Sequence, residues 1–325
     1  MTFKPDIVYY HYPCSDGLTS AAVVYSYYGP GAGIEFIPLD YGNPRNVQEH
    51  IDECRDKTIL MVDVSFKSNK KVNDLEKVAQ SANQIVIIDH HAGVYEDLQQ
   101  YDAGTYIAIE NFEKMVGDQK IALIFDNSHS GAGLAWSIFN QDKSVPEFIK
   151  YIEHIDLGRS SLPNAAQFRS WSRSLPFSIP EIAKAIKIYQ TFDDLEVAFE
   201  GGKAIEQFVR TRIDVIKEQV RYLKFDGYKD IPYVISDYAF ASEAANVFLS
   251  DDHPMALVFF FTKTGLGASL RSTDEVDVSE FAKKFGGNGH KRAAGFNIPW
   301  TDLPAFIESF EAFGNPIFGN MFLEQ

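Results

Sequence analysis

Cysteine is nearly absent from this chain: Cys14 and Cys54 are the two among 325 residues. That excludes a disulfide framework and fits a reducing compartment. Long apolar runs are missing as well. No stretch approaches the ~18 apolar residues that a membrane helix needs. The opening Met1-Thr2-Phe3-Lys4-Pro5-Asp6 has no apolar core of a secretory signal, so a cytoplasmic protein without a membrane partner is expected. Positive charge is scarce: 30 Lys and Arg face 45 Asp and Glu, a formal net charge of −15, with no basic tail or run. Proteins that track long nucleic acid carry a positive path along the surface, so no long duplex partner is expected. Repeats and low-complexity segments are also lacking. What remains is 45% hydrophobic and long enough for two cores.

The apolar residues gather into short runs, and the residues that end those runs carry the chemistry. Ile85-Val86-Ile87-Ile88 closes on Asp89-His90-His91. Asp6-Ile7-Val8-Tyr9-Tyr10 runs into His11, followed by Pro13, Cys14, Ser15, Asp16 and Gly17. Thr58-Ile59-Leu60-Met61-Val62 runs into Asp63. Such β-branched and aromatic runs mark parallel strands buried on both faces. Helical segments separate them: one through Ser20-Ala21-Ala22-Val23-Val24-Tyr25, one over 43–55 with Asn43 as N-cap and Pro44 at the first helical position, and one over 73–83. The alternation predicts an α/β fold, a doubly wound parallel sheet with helices on both faces. Ligands sit at the carboxyl edge of such sheets, where His11, Asp16, Asp63, Asp89, His90 and His91 can meet. Carboxylates and imidazoles without a cysteine quartet suit Mn²⁺, Mg²⁺, Co²⁺ or Fe²⁺ more than structural zinc. A lone Asp between two donor clusters, as Asp63 is, can bridge two ions. Two ions about 3.5–4 Å apart acidify a shared water and clamp the attacking and leaving oxygens of a phosphoryl group.

Further along, the stretch from Asn127 to Trp136 reads as a capped helix start whose small residues allow close packing onto the sheet, and a helix over 146–155 ends at Asp156. The stretch around Trp171, Pro176 and Pro180 predicts irregular chain. Residues 181–223 are helical in pattern, broken near Gly201-Gly202, with Ala204, Ile205, Phe208, Val209, Ile213 and Ile216 as one buried stripe. A smaller C-terminal α/β domain follows, with strands at 233–235, 256–261 and 267–272 and a helix at 278–284. The expected layout is a catalytic domain at 1–180, a helical linker at 181–226 and a substrate domain at 227–325. Among the other histidines, His129 reads as a neighbour of a helix cap and His154 as a surface residue. Glu153 rivals Asp156 as a ligand. In Gly286-Gly287-Asn288-Gly289-His290-Lys291-Arg292 the glycines allow close approach to an anion, with successive N–H groups forming a nest. His290 and Arg292 add charge-assisted donors. The competing reading is a tight turn that merely contains glycines.

These motifs, in this order, resemble the DHH phosphoesterase superfamily over nearly the whole chain. His11-Tyr12-Pro13-Cys14-Ser15-Asp16-Gly17 is similar to its first motif, Asp63 in Met61-Val62-Asp63-Val64-Ser65 to its second, Asp89-His90-His91 to its third and Asp156 to its fourth. The glycine-rich segment through Phe296 resembles the signature of the associated C-terminal domain. The resemblance implies a first ion held by His11 and Asp63, and a second held by Asp16, Asp63, His90 and Asp156. It implies that His91 faces the substrate phosphate, that Asp89 orients the imidazoles, and that Arg271 binds substrate together with Gly286, Gly287, Asn288, His290 and Arg292.

One position departs. Where the family commonly has a further Asp, this chain has Cys14. The thiol can ligate as thiolate and shift preference toward Fe²⁺ or Zn²⁺, stay neutral and leave the first ion weakly held, or serve as packing. We adopt the weakly held ion. The resemblance then implies a phosphoesterase with two divalent ions, Mn²⁺ foremost, that hydrolyses short oligonucleotides or phosphorylated nucleotides and releases nucleoside monophosphate or phosphate. A pyrophosphatase or polyphosphatase, or a nucleotide-binding protein with a degenerate site, are the alternatives. A homodimer is compatible with all three.

Overall fold

A computed structural model describes residues 3–40, 45–68, 72–104, 112, 114, 116–117, 119–159, 161–225 and 228–311. The chain divides into two compact units, Met1–Ile205 and Glu206–Gln325.

The first unit is built on β1 (Ile7–His11), α1 (Ser15–Tyr28), β2 (Glu35–Leu39), α2 (Val47–Glu53), β3 (Thr58–Val62), α3 (Asp74–Ser81), β4 (Gln84–Asp89), α4 (Ala92–Leu98), β5 (Asp102–Gly104) and β6 (Ile121–Phe125). The strands form one parallel sheet in the order β2-β1-β3-β4-β6-β5. Buried strands must be apolar on both faces, and these are. Val8, Tyr10, Leu60, Val62, Val86 and Ile88 belong to the core on one face. Ile7, Tyr9, Ile59, Met61, Ile85 and Ile87 belong to the core on the other. Each such side chain, fully buried, contributes about 1.5–3 kcal/mol. From β1 the chain moves outward to β2 and returns to β3 on β1's other side, so the order reverses between β1 and β3. Chain ends diverge at such a switch point and leave a crevice; His11 closes β1 there and Asp63 follows β3.

The sequence pattern foresees β1, β3 and β4. It misses β2, an edge strand interrupted by Pro38, β5, which is only three residues long, and β6, an apolar run without a polar motif at its end. The cap of α2 is Asn46, whose side chain accepts from Gln48 N at 2.9 Å; Asn43 and Pro44 lie outside the described residues.

The unit continues with α5 (Gly131–Phe139), α6 (Glu147–Asp156), α7 (Ala165–Ser172), α8 (Ile179–Ile188) and the start of α9 (Glu196–Lys217), whose residues from Glu206 on belong to the second unit. The segment expected to be irregular around Trp171 is therefore α7, with Phe168 and Trp171 buried in the core. Pro180 sits in the first turn of α8, where a missing N–H costs nothing. The expected break at Gly201-Gly202 is absent: the helix break falls instead between α8 and α9, and α9 runs straight through both glycines. They serve packing. A Cβ at Gly202 would stand 1.9 Å from the Gln167 carbonyl oxygen, and one at Gly201 3.1 Å from Trp171 Cδ1, so α7 lies against bare backbone. Of the stripe expected on this helix, Ile213 is buried while Ala204 and Phe208 are exposed.

In the second unit, β7 (Arg221–Phe225), β8 (Tyr228–Ile235), β9 (Met255–Phe261), β10 (Gly265–Ser272), β11 (Asn288–His290) and β12 (Ala293–Pro299) form a mixed sheet in the order β11-β12-β10-β9-β8-β7. Only β8 and β9 are parallel neighbours. Its helices are α10 (Ala241–Asn246), α11 (Val278–Lys283) and α12 (Leu303–Glu311). No helix among the described residues is long and apolar enough to cross a membrane.

The packing at Gly202 generates a test. In an open helix Gly→Ala gains about 1 kcal/mol; here the backbone contact reverses the sign. Gly202→Ala should lose about 1–3 kcal/mol in urea unfolding, the usual scale of overpacking, and Gly201→Ala distinctly less. A stabilised Gly202→Ala would show that α7 does not lie where it is described.

Candidate metal centre

Four elements deliver the site. Asp16 is the second residue of α1 and is 1% exposed. Its Oδ1 accepts from Ser130 Oγ at 2.6 Å and from Ala132 N at 3.1 Å, which ties the start of α1 to the start of α5. Ser130 is the N-cap of α5. Asp16 Oδ2 is buried and accepts no hydrogen bond. Burial, reinforced by the charges of Asp63 and Asp156, pushes the Asp16 carboxyl well above its ordinary range.

Asp63 leaves β3 in the left-handed region, φ 60°. Asp tolerates this conformation better than most residues, and backbone of this kind persists where the surroundings hold it, often at functional sites. The turn sets its carboxylate among three rings. Asp63 Oδ1 lies 3.1 Å from His90 Nε2 and 3.7 Å from His91 Nδ1, and Oδ2 lies 3.4 Å from His11 Nδ1. Burial opposes its ionisation, yet the imidazoles of His11 and His90 hold it below the ordinary carboxylate range.

Asp89 ends β4 fully buried. Its Oδ1 accepts from His90 N at 2.7 Å and His91 N at 2.8 Å and lies 2.8 Å from His91 Nδ1. One carboxylate oxygen thus fixes the backbone of both histidines and one of the rings. The bond to Asp89 raises His91 to about 9 against the opposing effect of burial. His90 Nε2 stands 3.5 Å from Asp156 Oδ2 and 3.9 Å from Asp16 Oδ2. Asp156 comes from the end of α6, and burial pushes its carboxyl up. Cys14 precedes α1 as its N-cap; burial, then the charges of Asp63 and Asp16, push its thiol up.

The donors fit divalent cations. Three overlapping groups each gather ligand atoms within 4.8 Å of one another: His11, Cys14 and Asp63; Asp63, His90 and His91; Asp16, His90 and Asp156. Among the described residues, the ion partners of these carboxylates are imidazoles, with no lysine or arginine. The buried, unbonded Asp16 Oδ2 aimed at His90 Nε2 completes the picture of a site shaped for cations.

All the N-terminal candidates, His11, Asp16, Asp63, Asp89, His90, His91 and Asp156, come together, and Cys14 joins them. Two neighbours went unnoticed in the sequence. Ser130 fixes Asp16, as described. Gly131 is obligatory, since a Cβ there would stand 2.7 Å from Asp63 Cβ and 2.8 Å from Asp16 Oδ2; the run of small residues at the expected helix start is the signal that could have found it. Glu153, the rival to Asp156, is turned elsewhere, 3.1 Å from His129 Nδ1 and accepting from Ser130 N at 3.2 Å. His154 is buried rather than on the surface, and its Nε2 accepts from Leu162 N at 3.2 Å.

The C-terminal candidates belong to the second unit. Arg271, half-buried on β10, donates to Ser242 Oγ at 3.0 Å and to the Leu270 carbonyl at 2.8 Å. Arg292, exposed in the turn between β11 and β12, has its Nε 3.6 Å from Asp274 Oδ1. The Arg292 carbonyl accepts from Ser272 N at 3.2 Å, so the two arginines share one end of the β10–β12 pair. The expected N–H nest is not formed by Gly286 and Gly287: their N–H groups donate to the carbonyls of Lys283 and Ala282. Gly286, at φ 72°, ends α11 as glycines commonly end helices. Gly287 lets β12 approach, since a Cβ would stand 2.2 Å from the Gly295 carbonyl oxygen. The side chains of Asn288 and His290 lie outside what is described.

Comparison with known proteins agrees with this geometry. The family model for the DHH family, N-terminal domain, matches residues 7–156, and that for the DHHA1 domain matches residues 237–315. An uncharacterized protein of Acanthamoeba polyphaga mimivirus is 26% identical over 310 residues, 89% of this chain and 66% of that protein, so the chain spans just under two thirds of this relative's length. Among solved structures, the DHH domain of a protein described as a member of a family of ribosomal proteins aligns at 14% identity with a TM-score of 0.52, covering 95% of this chain and 86% of that one, and shares the fold. RecJ from Thermus thermophilus in complex with Mn²⁺ aligns at 15% identity with a TM-score of 0.41, over 94% of this chain and 51% of that one. With two family models matched in order and the Asp89-His90-His91 triplet at the centre of the donor cluster, the chain belongs to the DHH family, with a DHHA1 domain following its N-terminal domain.

Proposed function

We propose that the protein is a divalent-metal-dependent phosphoesterase acting on short oligonucleotides or phosphorylated nucleotides and releasing nucleoside monophosphate or phosphate. One observation carries this: the three donor groups overlap at Asp63 and at His90, so the Asp63 carboxylate is within reach of two adjacent cation positions and His90 links it to Asp16 and Asp156. His11 and Asp63 would hold a first ion; Asp16, Asp63, His90 and Asp156 would hold a second. When bound, such a pair supplies Lewis acidity to a phosphoryl oxygen and acidifies water.

The chain's own residues do the rest. In the metal-free fold the bond to Asp89 raises the His91 pKa to about 9, and with its side chain 46% exposed the ring can donate to a phosphoryl oxygen. Asp89 is the positioning residue that keeps this ring in place. In the second unit, Arg271 and Arg292, with Asn288 and His290, would bind substrate, while Gly286 and Gly287 serve the turn that brings this segment onto β12. Arginine suits that task through its bidentate fork. The net charge of −15 favours short substrates over long tracts of nucleic acid, and the free Cys14 and Cys54 suit a reducing cytosol.

The test is hydrolysis of a dinucleotide, a five-nucleotide RNA, a 3′-phosphorylated nucleotide, pyrophosphate and a cyclic dinucleotide, each with Mn²⁺ or with EDTA. Turnover of at least one nucleotide substrate should require Mn²⁺ and fall to background in Asp63→Ala. Turnover of pyrophosphate alone would replace the nucleotide reading with the pyrophosphatase one. Turnover near wild type in Asp63→Ala would sink the shared-ligand assignment.

Asp16 gives a second test, independent of substrate. Its folded pKa is raised, so the folded state holds the proton more tightly than the unfolded chain. Its contribution to the metal-free protein is therefore favourable at low pH and falls as pH rises from the unfolded value near 3.9 through the folded one. Asp16→Asn keeps an acceptor for Ser130 and Ala132 and removes the charge. In EDTA at pH 7 its Tm should equal or exceed that of wild type, whereas the rise in Tm that Mn²⁺ brings to wild type should vanish. A variant that is less stable in EDTA yet still stabilised by Mn²⁺ would show that Asp16 is a structural carboxylate. Asp89→Asn should lower the His91 pKa, followed by NMR titration, and cost about 10–100-fold in metal affinity or activity.

A further inference from the structure

Cys14 and Cys54 occupy different chemistry. Cys54 is fully buried in the apolar core beneath the sheet, with the Tyr9 hydroxyl 3.5 Å from its Sγ; that is a packing cysteine. Cys14 is only partly buried and belongs to neither apolar cluster of its unit. Its Sγ, a ring nitrogen of His11 and a carboxylate oxygen of Asp63 lie within 4.8 Å of one another. The second observation is Asp63 itself: it is 1% exposed, and its Oδ2 accepts no hydrogen bond. His11 Nδ1 stands 3.4 Å from that oxygen. Nitrogen and oxygen ligands at about 2.1 Å from one tetrahedral ion are separated by about 3.4 Å.

We propose that Cys14 Sγ is the third protein ligand of the ion at His11 and Asp63, and that this position selects a borderline ion, Fe²⁺, Co²⁺ or Zn²⁺, over Mn²⁺ or Mg²⁺. The inference rests on the metal-centre reading above and replaces the weakly held first ion expected from the sequence. On coordination the S–H bond breaks, the sulfur lone pair goes to the ion, and the proton leaves to solvent; nothing is oxidised or reduced. A thiolate carries the same charge as the Asp common at this position but is softer, which disfavours Mg²⁺ and favours the later divalent ions. The adjoining group, Asp16, His90 and Asp156, offers only nitrogen and oxygen donors and keeps a harder preference. The two positions therefore differ in selectivity, and a mixed-metal centre follows.

The experiment is a titration of the metal-free full-length protein with Co²⁺, read by near-ultraviolet absorption and by calorimetry, neither of which needs substrate. A sulfur-to-cobalt charge-transfer band should grow in wild type, persist in Cys54→Ala, and be absent in Cys14→Ser. Serine is a favoured N-cap, so Cys14→Ser should keep its fold, which its melting curve verifies. Cys14→Asp should also lack the band and should lose about tenfold or more of the Zn²⁺-over-Mn²⁺ preference measured by competition, the scale on which a site's residues tune metal affinity. Calorimetric binding of Co²⁺ without the band, or a band that survives in Cys14→Ser, would overturn the assignment of Cys14 while leaving the metal centre standing. No binding of Co²⁺, Mn²⁺ or Zn²⁺ at all would overturn both.

Discussion

Mutual repulsion among carboxylates at the carboxyl edge of the parallel sheet is the constraint around which the first unit is organised. Asp16, Asp63 and Asp89 are almost completely buried, and Asp156 stands within reach of the same imidazole as Asp16 and Asp63. Two unit charges 4 Å apart interact by about 4 kcal/mol at the effective dielectric of protein sites. A few such pairs would rival the about 5–15 kcal/mol by which a domain is stable. The fold answers with local neutralisation: Asp89 takes two backbone N–H groups and a ring, Asp63 sits among three imidazoles, and Asp16 lies at the start of the 14-residue α1, where the helix dipole favours an anion. These measures occupy one oxygen each of Asp63 and Asp89, and Oδ2 of both stays buried without a hydrogen bond. They do not satisfy Asp16 or Asp156, whose carboxyls both stay raised. Those raised carboxyls, together with the clustered donor atoms, fit a cation site better than a structural polar network.

Other details follow from holding that set in place. The left-handed turn at Asp63 costs stability of order 1 kcal/mol or more, and it is tolerated because Asp63 N donates to the Ile88 carbonyl at 2.9 Å while the side chain is held by His11 and His90. Gly131 leaves the space that both carboxylates fill. Ser130 does two jobs, accepting from Gly133 N at 3.4 Å to start α5 and donating to Asp16. Gly133 belongs to the same joint, since a Cβ there would collide with Glu153 Oε2, and Glu153 in turn accepts from Ser130 N. A residue that looks like an ordinary helix cap in the sequence is thus part of the wall of the site.

What the sequence discloses and what it hides divide along a physical line. Strands buried on both faces must be continuously apolar, so β1, β3 and β4 are visible, and the polar residues that end them announce the site. Side chains that act through tertiary contact have no such local signature. Ser130 and Gly131 meet Asp16 and Asp63 across more than sixty residues of chain. Gly201 and Gly202 look like helix breakers because intrinsic propensity is all that a sequence window offers, yet the contact with α7 decides their role. His154 lies on the opposite side of α6 from Asp156, and Glu153, one turn before Asp156, is held by His129 and Ser130 N instead. In the second unit, glycines suited by conformation to an anion nest have two of their N–H groups committed to ending α11. Conformational permission was legible there; the hydrogen-bond partner was not.

The same constraint explains why a thiol suits position 14. A carboxylate there would add a permanent charge to a cluster in which Asp16 and Asp156 are already raised. The Cys14 thiol, pushed up by burial and by Asp63 and Asp16, is neutral in the metal-free fold and adds nothing to that repulsion. It becomes an anion only when a cation arrives to balance it. Metal binding then releases a proton, and affinity at this position must fall as pH falls, because protons compete for the sulfur. The chain gives up some affinity for hard ions and gains a less strained metal-free state. In a protein whose first unit already buries three carboxylates at one sheet edge, that exchange favours the fold, and the selectivity of the first position for softer ions is its chemical consequence.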